Sequence, residues 1–138
     1  MATADRAIVK RLTDEVFLAG DLSVIDELVD DDFVDHDPPP GVPPTKEGVR
    51  LVAQMVTSAF SDRNAEFDDY DDTSDGCVVE SWAMTGTHTG EAFGLPPSGK
   101  SIRVRGIEIW RCASGKIVEH WGAVDMSDVA QKAMGSMG

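Results

Sequence analysis

The sequence predicts an α+β domain, and three observations predict it. Over the first 60 residues apolar side chains recur every three or four positions, as on one face of a helix. From Ser61 onward they alternate, as on strands. Helices first and strands afterwards is the order of an α+β domain, not of a doubly wound one. The 138 residues are read as a single domain, 1–138, long enough to bury a real core.

The elements follow in order. Residues 5–18 read as an amphipathic helix: Ile8, Leu12 and Val16 lie four apart, Val9 and Ala19 widen the stripe, and Gly20 stops it. Residues 22–29 give a second, short helix through Leu22, Ile25, Leu28 and Val29. Asp30 to Asp37 reads as a short strand or extended segment. Pro38-Pro39-Pro40-Gly41 and Pro43-Pro44 cannot sit in a helix or a central strand and read as an ordered surface loop. Thr45 is placed as the N-cap of a third helix, 46–60, with Val49, Val52, Val56 and Phe60 on one face. Residues 64–72, 77–89, 101–112 and 116–125 read as strands, and 127–134 as a short terminal helix.

The last two strands read as a hairpin whose register can be predicted. Ala113-Ser114-Gly115 suits a three-residue loop with Gly115 in the left-handed position. One face then pairs Glu108 with His120, Trp110 with Val118 and Gly106 with Gly122. The other pairs Ile107 with Trp121, Ile109 with Glu119 and Arg103 with Asp125, the last an expected ion pair. Both faces are rich in apolar residues, unlike a sheet with one wet face. One face is expected to cover the helices and a pocket, and the outer face to meet a second copy of the chain in a homodimer.

Composition narrows the function. Acids outnumber bases 25 to 12, for a net charge of −13. Residues 1–75 hold 19 acids and 6 bases, and residues 76–138 hold 6 of each, so the whole imbalance lies in the N-terminal part. Such a surface repels nucleic acid, and no basic stripe offsets it. No stretch approaches the roughly 18 apolar residues of a membrane span, and no signal peptide is visible at the N-terminus. Cys77 and Cys112 are too few for a disulfide framework and read as reduced thiols of a cytoplasmic protein.

Two motifs fail on chemistry. Gly94-Leu95-Pro96-Pro97-Ser98-Gly99-Lys100-Ser101 matches the phosphate-binding P-loop letter for letter. That loop points backbone N–H groups at phosphates, and Pro96 and Pro97 have none. It must also open a helix, whereas Ile102-Arg103-Val104-Arg105 alternates like a strand. Asp71 to Gly76 resembles a calcium loop, but the required glutamate position holds Trp82. His36, His88 and His120 form no close pair of the zinc type, and no metal site is expected from them. What remains is acid–base equipment: Asp35, His36, His88, Glu108, His120 and Asp125.

Gly86-Thr87-His88-Thr89-Gly90, Gly94 to Lys100, Gly115-Lys116-Ile117-Val118-Glu119-His120-Trp121 and Asp125, with Phe33-Val34-Asp35-His36 before them, resemble the SnoaL-like polyketide (ester) cyclase family of the nuclear-transport-factor-2-like superfold. The resemblance spans essentially the whole chain. It implies a cone: a curved antiparallel sheet wrapped around N-terminal helices, with a deep apolar pocket and frequent homodimers through the outer sheet face. It also implies a cofactor-free intramolecular aldol closure, in which a pocket carboxylate removes a C–H proton and polar neighbours stabilise the enolate. In the family pattern the catalytic aspartate follows a last-strand histidine by two residues. His120 matches that histidine, and the aspartate position holds Gly122. The family's other pocket histidine falls at Glu108, and its pocket asparagine at about Asp35.

The residues themselves offer a replacement. A Glu108–His120 pair on the pocket face is a candidate base and partner, since a neighbouring carboxylate raises and orients an imidazole. The alternative is a buried pair that only satisfies its own hydrogen bonds. Gly106 and Gly122 would leave space for substrate beside the pair. Asp35 and His36 are placed at the pocket mouth. Trp82, Met84 and Trp110 line the pocket, or are plain core. His88 contacts substrate, or bonds a loop backbone. The reading is an enzyme acting on a polyketide-like or other apolar small molecule by cyclisation or isomerisation. A non-catalytic binding module, favoured by Gly122, is the alternative. An epoxide hydrolase or cofactor-free oxygenase of the same fold is a third reading.

Overall fold

The computed structural model describes the backbone of residues 2–73 and 75–137, and their side chains except those of 2, 3, 67–70, 72, 136 and 137. Among the described residues four α-helices and five strands follow the predicted order. Helix α1 (Ala2–Arg11) continues as a π-helical stretch, Leu12–Leu18. A 3-10 turn, Leu22–Val24, leads into α2 (Ile25–Leu28). Then come β1 (Val29–Asp35), α3 (Lys46–Ala59), β2 (Phe60–Asp72), β3 (Cys77–His88), β4 (Ser101–Ala113), β5 (Lys116–Asp125) and α4 (Ser127–Met137). At the end of the π-helical stretch the Ala19 N–H donates to the Asp14 carbonyl, five residues back, at 3.0 Å.

The sheet order is β1-β5-β4-β3-β2. β2 to β5 are antiparallel, and β1 joins β5 in parallel. The sheet is therefore mixed where the cone was expected to be antiparallel throughout. β1 is placed by a helix-containing connection and not by a hairpin, which is what a parallel pair requires. The helices pack on the inner face in two apolar clusters. One joins Val9, Leu12, Val16, Ile25, Leu28 and Phe33 to Val78, Trp110 and Ile117. The other joins Phe60 and Met84 to Ile102, Val104 and Val129. Among the described residues no helix is long and apolar enough to cross a membrane.

Three local expectations change. Thr45 occupies the N-cap of α3, but its side chain makes no capping bond; its carbonyl accepts the first helical N–H groups, from Gly48 and Val49. Asp125 does not pair with Arg103. It bonds the Ser127 backbone N–H at the start of α4, while the Arg103 N–H donates to Asp128. The β4–β5 turn has two residues, Ser114 and Gly115, both at positive φ (53° and 80°), a type I′ turn. A bulge at Val118 then adds a residue to β5, so Glu108 faces Gly122 and Trp110 faces His120. The register moves by two residues from the predicted one, and the faces are kept. Ser101 opens a strand, so the Gly94–Ser101 match lacks its helix. In the acidic turn Thr73 bonds Asp75, and Ser74 lies outside the described residues.

Arg63 closes the fold at one end. A bulge in β2 between Ser61 and Asn64 turns its guanidinium inward. Its N–H groups donate to the carbonyls of Phe17 (3.2 Å), Leu18 (2.7 Å), Thr57 (3.4 Å) and Phe60 (2.6 Å). Helix ends leave such carbonyls unpaired, and a charged donor satisfies them well. Arg63→Ala is expected to destabilise the protein by about 2–3 kcal/mol, read as a lower urea midpoint. Unchanged stability would show that water replaces the guanidinium.

Candidate functional site

A cavity of about 460 Å³ opens between the two apolar clusters, within the size range of small-molecule sites. Phe17, Val49, Val52, Val56 and Phe60 line its helical side, and Phe33, Trp82, Met84, Val104 and Trp110 its sheet side. The π-helical stretch contributes Thr13, Phe17 and Leu18. Pro39, Pro40, Phe93, Val124 and Met126 also belong to the wall, and Phe93 and Val124 are among the protein's exposed apolar side chains.

Polar groups converge on one side. Parallel pairing sets Asp35, the last residue of β1, beside His120 of β5. His120 Nδ1–H donates to Asp35 Oδ1 at 2.8 Å, and Nε2–H donates to Glu108 Oε2. Glu108 is only 7% exposed, and His120 is its hydrogen-bond partner among the described residues. Burial pulls the His120 pKa down, but the bonds to Asp35 and Glu108 outweigh it and raise the pKa to about 9. His120 is therefore an imidazolium held between two carboxylates. Burial would likewise push Asp35 up. The His120 bond and the Asp37 backbone N–H outweigh it and hold the carboxyl below its usual range.

Trp110, directly opposite His120, packs its ring on the imidazole with centroids 4.1 Å apart. Its Nε1–H donates at 3.0 Å to Glu80 Oε1. Glu80 lies on β3 directly opposite Glu108 and is 2% exposed. Sequence reasoning missed Glu80. The signal was its parity with Trp82 and Met84, which places all three on one side of the strand.

Most expected site residues meet here. Asp35, Glu108, His120, Trp82, Met84, Trp110 and Gly122 all line the cavity. His36 does not: its ring stacks on Trp121 at 4.7 Å and bonds Glu119 at 2.8 Å. Successive strand residues alternate sides, so the residue after Asp35 leaves the pocket. His88 does not line it either. It is fully buried beside Phe60, its backbone ties the 89–100 loop at Gly99 and Lys100, and neither ring nitrogen has a partner among the described residues. The two glycines leave no room for substrate. A Cβ at Gly106 would run into the Trp82 indole. One at Gly122 would clash with Glu108 Oε2 and fall 2.9 Å from His120 Nε2. Gly122 thus makes room for the Glu108–His120 contact. Gly122→Ala is expected to separate the pair and lower stability by about 1–3 kcal/mol. The imidazole titration, followed by NMR, should then fall back toward that of a free histidine. A midpoint that stays near 9 would mean the pair tolerates the methyl group. Among the described residues no group of three or more His, Cys, Asp or Glu is arranged to hold a metal ion.

The model of the SnoaL-like polyketide cyclases matches residues 7–133. IdmH from Streptomyces antibioticus, assigned as a polyketide cyclase, is 32% identical at a TM-score of 0.77, over 95% of this chain and 98% of that one. AclR from Streptomyces galilaeus, assigned as a hydroxylase, is 22% identical at a TM-score of 0.83, over 98% and 83%. A protein from Jannaschia sp. CCS1, assigned as a SnoaL-like polyketide cyclase, is 24% identical at a TM-score of 0.80, over 96% and 92%. The last two share the fold. No curated protein matches the chain.

Proposed function

This chain belongs to the SnoaL-like polyketide cyclase family, and from that premise we propose that it is an acid–base enzyme. It cyclises or isomerises a polyketide-like, apolar substrate through an enolate, without a cofactor. The observation that carries this reading is the Asp35–His120–Glu108 chain of hydrogen bonds at an apolar cavity. His120 holds one oxygen of the Glu108 carboxylate, and the other, without a hydrogen-bond partner among the described residues, is left to take a C–H proton. Asp35 fixes the imidazole, and the imidazolium offsets the negative charge that passes into the substrate. The resemblance expects an aspartate at 122. Here Gly122 leaves the space into which Glu108 brings its own carboxylate.

The test uses 2-tetralone, a neutral bicyclic ketone, in deuterated buffer. The protein is expected to accelerate exchange of its α-hydrogens, read by mass spectrometry. Binding without faster exchange would favour the second reading, a non-catalytic binding module. A structure with whatever ligand co-purifies would then define the substrate.

We also propose a homodimer through the outer sheet face. Ile107 is 57% exposed there, beside a shallow depression lined by Ser81, Arg105, Ala123 and Asp125. This face belongs to the segment without net charge, which suits self-association. Native mass spectrometry is expected to show a dimer; a monomer at micromolar concentration overturns the assembly. The free, buried thiols of Cys77 and Cys112, the latter pushed up to about 12 by burial, suit a reducing cytoplasm.

A further inference from the structure

We propose that Glu80 is a second catalytic residue of this cavity: a neutral carboxylic acid whose Oε2–H donates to a substrate oxygen and delivers a proton to it. The inference rests on the enolate reading above and adds the acid that the Asp35–His120–Glu108 base lacks.

Three observations carry it. Glu80 belongs to the cavity wall yet is 2% exposed, so its carboxyl sits in a nearly dry place. It stands directly across the β3–β4 pair from Glu108. Directly opposed side chains have Cβ atoms roughly 5 Å apart, and two carboxylates that close in an apolar wall resist ionising together. Glu108 is the one facing an imidazolium, so Glu108 keeps the charge and Glu80 keeps the proton. Finally, the two oxygens of Glu80 differ. Oε1 accepts the Trp110 N–H, whereas Oε2 is buried without a hydrogen-bond partner among the described residues. A buried, unmatched polar atom is uncommon in a folded protein. A ligand oxygen in the cavity would give it a partner.

The surroundings agree. Burial is the largest influence on Glu80 and pushes it up; the Trp110 N–H pulls it back, and the charge of Glu108 pushes it further, to about 7. The other charged groups that face it are His120 on β5, which favours ionisation, and Asp14 on the first helix, which opposes it. On β2 the register position across from Glu80 is Tyr70. A carboxylic acid kept neutral near pH 7 by an apolar site is a known means of donating to a developing oxyanion.

The step balances as an isomerisation. Glu108 takes the α-proton, and the C–H electron pair becomes the enolate. The enolate carbon attacks a second carbonyl carbon of the same molecule and forms the new C–C bond. The π pair of that carbonyl moves to its oxygen, which takes the proton from Glu80 Oε2. One proton then passes from Glu108 back to Glu80, and no oxidant or reductant is used.

The experiment uses 2-tetralone carrying a ¹³C-labelled carbonyl, bound to the whole protein and followed by difference infrared spectroscopy. At pH 6 the bound carbonyl stretch is expected to shift to lower frequency. Between pH 6 and 8 the shift should disappear as Glu80 ionises. Glu80→Gln, which can still accept from Trp110 and still donate to the ligand, should show a smaller shift that no longer depends on pH. Glu80→Leu should show none. A shift in the wild type that ignores pH, or one unchanged in Glu80→Leu, overturns the inference and leaves Glu80 as a structural acceptor for Trp110. If Glu80→Leu fails to fold, the loss of pH dependence in Glu80→Gln decides alone. The infrared outcome is independent of α-hydrogen exchange, so this inference and the enolate reading fail separately.

Discussion

Glu108→Gln is expected to slow α-hydrogen exchange of 2-tetralone by roughly 10²–10⁴-fold, the usual contribution of a positioned general base. The amide keeps the shape of the carboxyl, and its oxygen still accepts the His120 Nε2–H. It has no basic oxygen to receive a carbon-bound proton. Affinity for the ketone should change little, because Phe17, Phe60, Trp82 and Met84 supply most of the contact area and are untouched. The informative result is therefore a rate that collapses while binding holds. A rate that survives would remove Glu108 from the proton transfer.

Stability is expected to fall as the pH rises from about 6.5 to 9, by on the order of 3 kcal/mol from His120 alone. An unfolded chain releases the His120 proton near 6.5, and the folded one holds it to about 9. Below 6.5 both states are protonated and the stabilisation is fully present. Between the two values only the folded state binds the proton, so the folded advantage shrinks with each unit and is gone above 9. Glu80 acts in the same direction over 4.5 to about 7, since its burial favours the neutral form in the folded state. Asp35 has the opposite sign: its contribution exists above 3.8 and disappears as the pH falls through its lowered folded value. Greatest stability should therefore lie on the mildly acidic side of neutrality. Urea midpoints from pH 5 to 9, compared with those of His120→Gln, check this. The variant should lose the decline between 6.5 and 9; parallel profiles would show that the imidazolium is not what stabilises the fold.

The sequence pattern located elements better than it located contacts. Hydrophobic period alone separated helix from strand and put Trp82, Met84, Glu108, Trp110 and His120 on one side of the sheet. That succeeds because which side a strand residue faces depends on local alternation. Partnership across strands depends on turns and bulges, and the predicted three-residue loop was one residue too long. The bulge at Val118 moved the register again, and only because the total shift was two did the faces survive. Glu108 and His120 meet diagonally, where direct opposition was expected. Glu80 was harder still. The β3–β4 connection is the long 89–100 loop, which carries no register signal, so nothing local announced that two glutamates would face each other. His36 and Gly106 show the reverse error: a plausible residue type near the pocket was taken for a residue in it.

The bulge carries one more consequence. Were Val118 paired in the ladder and not bulged out of it, the two-residue turn would set Glu108 opposite Trp121, turning that indole inward and His120 out toward the side where His36 now stacks. Loss of the Val118 codon would only remove the bulge and keep Glu108 opposite Gly122, whereas one in-frame codon gained beside it, with the bulge kept, exchanges the two surfaces of the strand's outer half. It converts the acid–base chamber into one walled by another tryptophan, with no catalytic side chain itself altered. In this fold the chemistry depends on odd and even counting along one hairpin as much as on which residues it contains.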